Sequence, residues 1–303
     1  MKRNKILAVL AATLLTVACG RNATISAPTA PGGIGGGWEG RIPWSPYLDI
    51  HNAAGALPGY QQAVTELMAH GALRGARVGL SEPEVMSQVP NAVNQWLSSQ
   101  GLELLVIVDD YLLFHDNLEE IMDRVVSLSP GVTTIQIGNE VTPAMSIEQY
   151  MKVFRHIYYY VSVRYPDITL VAQSTFGSGK YGSVELEKMI ALGLKDMSPQ
   201  RVIIGMNVYD EPTLLANADV LNSQLREYRV WVTETGSSNP EEQVGHVINF
   251  YPELNNILRS ERIYWYALWG GDSGSDTGLS LIKSPETPPI WESPLYKVLT
   301  GKK

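Results

Sequence analysis

The strongest constraint on the fold is a repeated change of hydrophobic period along the chain. From residue 76 onward, short runs of β-forming residues alternate with longer amphipathic stretches. Runs at 76–80, 102–108, 134–138, 168–173, 202–209, 230–233 and 262–269 read as strands. Between them the spacing predicts helices over 82–100, 118–128, 146–165, 184–196, 213–228 and 240–259, with a short one from 293. Several starts carry their own caps. Ser81 with Glu84, and Ser146 with Gln149, are capping boxes, and Asn239-Pro240 with Glu242 supplies an N-cap and a proline at the first helical position. A strand that is followed each time by a helix must pair in parallel with the next strand.

A further amphipathic stretch, 58–72, precedes the first of these strands. A helix there implies an earlier strand, placed within 42–50, where Pro43 and Pro46 interrupt the pattern. The count becomes eight β-α units in roughly 265 residues, the size of a single-domain (β/α)8 TIM barrel. An open doubly wound sheet would carry a glycine-rich phosphate turn after its first strand, and the sequence has none. The barrel is assigned to 38–303.

The N-terminus reads differently. Lys2, Arg3 and Lys5 precede an apolar run at 6–15 and then small residues, the pattern of an export signal over 1–18. The run is too short to span a bilayer as a helix. Cys19, the sole cysteine, follows Thr16-Val17-Ala18, which resembles the lipobox of bacterial lipoproteins. That resemblance implies lipidation of Cys19 and a protein anchored to a membrane through that lipid alone, at the periplasmic or cell surface. Thr16 stands where leucine is usual, and a plain secretory signal is the alternative. Residues 19–37 are rich in Ala, Pro, Thr and Gly and form a tether. Of 23 basic residues the signal takes three, which leaves 20 against 31 acidic ones, a net charge of −11. Such a chain is poorly suited to nucleic acid. A monomer is expected.

In a (β/α)8 barrel the chemistry lies at the C-terminal ends of the strands. That rule gathers residues far apart in sequence: Asp109 and Asp110, Asn139 and Glu140, Gln173, Tyr209, Glu234 and Trp269, with Arg77 inside the second strand. Near a barrel core such side chains are costly unless they pair with each other or with a ligand.

The stretches IQIGNE (residues 135–140), VWVTETG (230–236) and YWYALW (264–269) together resemble clan A of the retaining glycoside hydrolases. In that clan an Asn-Glu pair ends strand four and a glutamate ends strand seven. The resemblance implies that Glu140 is the acid/base and Glu234 the nucleophile of a β-glycan hydrolase that needs no cofactor. It further implies that Asn139 bonds the sugar 2-hydroxyl, Tyr209 holds the nucleophile, Trp269 forms a sugar platform and Arg77 sets the charge state of Glu234. The chemistry needs such a pair: a proton for the leaving oxygen, and an anion facing the developing oxocarbenium ion. Carboxyls about 5–5.5 Å apart permit direct attack and retention. Glu140 should then have a raised pKa, while Glu234 needs donors.

Structural roles stand beside these. Asn139 could cap a turn, Arg77 and Tyr209 could pair with each other, Trp269 could be core, and Gln173 divides between subsite and turn. Asp109 and Asp110 read as loop or subsite residues, His51 as structural, Glu82 and Glu84 as helix caps, His156 and Glu148 as surface, and Trp231 and Trp265 as packing. The histidines lack HExxH spacing and no cysteine pair exists, so no zinc site is implied. There is no Walker loop and no Gly-x-Ser-x-Gly elbow. A non-catalytic glycan-binding lipoprotein on the same barrel and a transglycosylase are the competing functions. An aldolase would want a lysine at a strand end, and none is there.

Overall fold

The computed structural model describes residues 42–50, 58–89, 92–142, 144–173, 180–271, 275–285 and 289–302. The signal, the tether, Cys19 and His51 lie outside the described residues.

Eight parallel strands close into a barrel in sequence order. They are β1 (Tyr47–Asp49), β2 (Gly75–Leu80), β3 (Glu103–Val108), β4 (Thr134–Ile137), β5 (Thr169–Ala172), β6 (Val202–Asn207), β7 (Arg229–Thr235) and β8 (Ser260–Trp265). β8 closes on β1 through Tyr264 opposite Tyr47 and Trp265 opposite Leu48. The helices are α1 (Pro58–Ala69), α2 (Glu82–Ser87), α3 (Ala92–Ser99), α4 (Leu118–Leu128), α5 (Ile147–Arg164), α6 (Lys180–Ala191), α7 (Glu211–Gln224), α8 (Gln243–Leu258) and α9 (Pro294–Leu299). A two-stranded antiparallel pair, β9 (Ile282–Lys283) and β10 (Trp291–Glu292), follows the barrel.

Three differences from the sequence reading bear on the top of the barrel. The first strand is only three residues long, because Pro43 and Pro46 cannot donate to a ladder. The helix expected over 82–100 is two helices, with Gln88 in the left-handed region at φ 55° between them. Pro90 in the sequence accounts for the break, since proline disfavours helical backbone just before it. β8 stops at Trp265, so Trp269 lies four residues beyond it.

Side chains alternate across each strand. Leu48, Ala76, Val78, Val106, Ile135, Leu170, Ile204, Val230 and Ile263 face outward into the layer packed by the helices. Tyr47, Leu105, Val171, Ile203, Trp231 and Tyr264 face inward and fill the lower part of the barrel. Gly75 makes room for this layer, for a Cβ there would stand 2.6 Å from the Tyr47 ring. The Arg262 guanidinium closes the bottom, 4.3 Å from the Trp231 ring centre and 4.7 Å from that of Tyr47. It also pairs with Glu103 at 2.7 Å.

Candidate active site

Two residues further along the inward face of β1, β2 and β4, the barrel filling becomes charged or amide. Tyr47 is followed by Asp49, Gly75 by Arg77 and Thr134 by Gln136, all three fully buried. Arg77 is the hub. Nη1 donates to a carboxylate oxygen of Asp49 and, at 2.7 Å, to Oε1 of Glu234. Nε donates to Oε1 of Gln136 at 3.0 Å, and Nη2 to Oδ1 of Asn139 at 2.8 Å. Burial alone would lower the guanidinium pKa, but the charges of Asp49 and Glu234 raise it overall. The cation is therefore permanent.

Glu234 reaches this hub through an irregularity in β7. Trp231 and Thr233 point into the barrel, so strict alternation would send Glu234 outward. The ladder shifts register here: Asn207 pairs with Glu234 where Met206 pairs with Val232. The register against β8 also shifts between Val232 and Thr235. The bulge turns Glu234 inward next to Thr233, in the way bulges re-aim side chains near sites. Glu234 is 6% exposed. Its Oε1 accepts from Arg77 and, at 3.2 Å, from Nδ2 of Asn139. Its Oε2 accepts the Tyr209 hydroxyl at 2.9 Å. Thr235 returns to the outer face, where its hydroxyl lies 3.0 Å from Nε2 of His246 on α8. Burial pushes that imidazole down to about 4, so it is neutral.

Glu140 sits on a tight turn after β4. Gly138 has φ +72° and Glu140 itself φ 51°, both left-handed. A Cβ at Gly138 would lie 2.5 Å from the Val141 side chain. Three neighbours hold the turn. Oδ1 of Asp110 accepts from Asn139 N–H at 2.9 Å, Oε1 of Gln173 accepts from Val141 N–H at 2.9 Å, and the Thr142 hydroxyl donates to Glu185. The Glu140 carboxylate accepts from Nδ2 of Asn207 at 2.9 Å. Asn207 is fixed in turn by Thr233, whose hydroxyl donates to its Oδ1 at 3.0 Å. Burial raises the pKa of Glu140 to about 7, helped by the Glu234 charge and opposed by the Asn207 bond. Asp110 is also raised, to about 6, chiefly by burial.

The structure thus brings Glu140, Glu234, Arg77, Asn139 and Tyr209 together. Gln173 meets the backbone behind Glu140. Trp269 is half-buried and packs against the outer core. Arg77 and Tyr209 do not bond each other; both bond Glu234. Glu84 caps α2 by accepting from Ser81 N–H at 2.8 Å, while Glu82 pairs with His115 at 2.7 Å. Trp231 and Trp265 are core, at 2% and 0% exposed. Asp49, Gln136 and Asn207 are site residues that the sequence reading missed. Even spacing from the inward positions Tyr47 and Ile203 was the available signal for Asp49 and Asn207. Among the described residues, no group of three or more His, Cys, Asp or Glu side chains is placed to hold a metal ion. Also among them, no helix is long and apolar enough to cross a membrane.

No protein-family model matches the sequence, and no curated protein matches it. Solved structures do. A family 39 glycoside hydrolase from the gut symbiont Bacteroides cellulosilyticus WH2 superposes with a TM-score of 0.66 at 16% identity, over 86% of this chain. This chain spans 63% of that protein's length. A β-mannanase from Thermomonospora fusca gives 0.52 at 15% identity, covering 88% of this chain and 94% of its own. A GH128 (subgroup I) endo-β-1,3-glucanase from Amycolatopsis mediterranei gives 0.51 at 16%, covering 86% and 99%. This chain has their barrel. At such identity the likeness is one of fold, and it agrees with the barrel that the clan A resemblance implied.

Proposed function

We propose that the protein is a glycoside hydrolase that cleaves β-linked poly- or oligosaccharides with retention of configuration, and that it cuts within the chain. The observation that carries this reading is the contrast between two carboxylates at one barrel mouth. Glu234 is ion-paired to a buried arginine and bonded on both oxygens. Glu140 is pushed by burial towards neutrality, to about 7. Unlike surroundings of two carboxyl groups are what separate an acid from a nucleophile. Asn207 and Asn139 bridge the two, for Nδ2 of Asn207 lies 2.9 Å from Glu140 and 3.5 Å from Oδ1 of Asn139.

In this mechanism protonated Glu140 gives its proton to the glycosidic oxygen as the C1–O bond breaks. A Glu234 oxygen bonds to C1, and its negative charge is consumed in the ester. Glu140, now ionised, no longer faces that charge, which is one cause of its raised pKa. It takes a proton from water as the water attacks C1, and the C1–Glu234 bond breaks. Arg77 and Tyr209 stabilise the carboxylate that leaves. Asn139, whose Nδ2 donates to Glu234 at 3.2 Å, is the proposed partner of the sugar 2-hydroxyl. The neighbours described as a mannanase and an endo-glucanase support polymeric β-glycans as the substrate class. The export-signal pattern over 1–18 and the lipobox-like Cys19 support a protein held outside the cytoplasm on a lipid tether, and a monomer is the proposed working form.

Assay on a panel of soluble β-glucans, mannans, xylans and galactans tests the reading. Release of reducing ends from at least one, abolished in Glu234→Gln, is expected. Binding of a glycan with no cleavage across the panel would favour a non-catalytic binding protein.

A further inference from the structure

We propose that Tyr111 and Phe114 form an aromatic strip that holds a β-linked pyranose chain beyond the reacting sugar, which deepens the hydrolase reading and rests on it. Both lie on the 3-10 helix Asp110–Phe114 that leaves the top of β3. In a 3-10 helix, residues three apart eclipse on one face, about 6 Å apart along the axis. Tyr111 and Phe114 are such a pair, 66% and 52% exposed, while Leu112 and Leu113 between them are buried. A helix this short has no need of two large apolar rings on its wet side.

The 3-10 helix that carries the strip is anchored at both ends and starts beside Asn139. Asp109 accepts from Tyr111 N–H at 2.9 Å, and the next carboxylate, Asp110, holds Asn139 N–H at 2.9 Å. At the far end His115 pairs with Glu82 of α2 at 2.7 Å. The backbone under the two rings is therefore held before a ligand arrives, which removes part of the ordering cost of stacking. Phe114 also lines a hollow of about 420 Å³ with Asp116, Gln149, Lys152 and His156. Flat apolar faces beside amide, carboxylate and ammonium groups suit a sugar chain, whose rings offer C–H faces and hydroxyl edges. Two rings supply only a fraction of the roughly 800 Å² that each partner buries in a stable protein interface.

The test uses the full chain in two backgrounds, active and Glu234→Gln. Tyr111→Ala with Phe114→Ala should lower the ratio of kcat/KM on the cleaved polymer to kcat/KM on an aryl glycoside by about 5- to 20-fold, the size of two lost stacking contacts. Polymer affinity in the Glu234→Gln background should weaken by a similar factor. Tyr111→Phe with Phe114→Tyr keeps both rings and should retain both values. An unchanged ratio and affinity in the alanine pair, or an equal loss in the ring-preserving pair, overturns the strip. So does a dimer that only the alanine pair dissociates, with glycan affinity intact. If the active chain cleaves no glycan, the hydrolase reading fails by itself, and polymer affinity still judges the strip.

Discussion

Tyr209 donates its hydroxyl to Oε2 of Glu234 at 2.9 Å, the oxygen that Arg77 and Asn139 leave free. The two carboxylate oxygens thus have different partners, two nitrogens on one and a phenol on the other. Burial and the Glu234 charge raise the Tyr209 pKa well above its usual value, so the phenol stays a donor. Tyr209→Phe should lower kcat by about 10- to 100-fold, the worth of one hydrogen bond to a charged group. Steady-state kinetics on a natural glycan reads this, and a KM effect alone would place the phenol outside the chemistry.

Glu140 and Glu234 should separate by leaving group. Glu234→Gln should abolish turnover on every substrate. Glu140→Ala should fail on natural glycans yet still release an activated phenol, whose departure needs no proton. A burst followed by slow turnover is expected in that variant, because the second step lacks its base. Equal losses on both substrates would remove Glu140 from the acid role.

The pH dependence follows from the same residue. With its pKa raised to about 7 by burial and then by Glu234, Glu140 must be protonated for the first step, so kcat/KM should fall as pH rises through about 7. Stability should follow the same sign. The folded pKa lies above the unfolded one, so the stabilising contribution of the protonated form is complete below about 4.5 and lost as pH rises through about 7. Relative to Glu140→Gln, the parent should therefore lose about 1–3 kcal/mol between pH 4.5 and pH 8. Urea unfolding of both chains at the two pH values measures it.

Arg77 and Arg262 should behave as opposites. Arg77→Met leaves Asp49 and Glu234 buried without their cation and should cost about 3–5 kcal/mol of stability as well as all activity. Arg262→Ala, at the far end of the barrel, removes one ion pair and two cation-π contacts. It should cost about 1–2 kcal/mol and leave kcat unaltered.

How much of this was legible in the sequence differs from residue to residue. Asn139-Glu140 could be read because a buried run ends on two polar residues directly before a loop, and Gly138 supplies the turn. Glu234 could be read as a strand-end carboxylate, but its direction could not. Its odd offset from Trp231 points it out of the barrel, and only the bulge between Val232 and Thr235 brings it in. Asp49 was hidden because Pro43 and Pro46 shorten its strand to three residues. Asn207 was hidden because the apolar run continues past it to Tyr209. The break between α2 and α3 was signalled by Pro90, but Val85, Val89, Val93 and Leu97 keep a helical spacing across it and hid it.

The most direct test of the two-glutamate account is the anomeric configuration of the first product. Proton NMR of a β-glycan digest, followed from the first minutes, should show the β-anomer appearing first and the α-anomer growing in only by mutarotation. The α-anomer appearing first would mean that water, not Glu234, attacks the sugar, and would contradict the account.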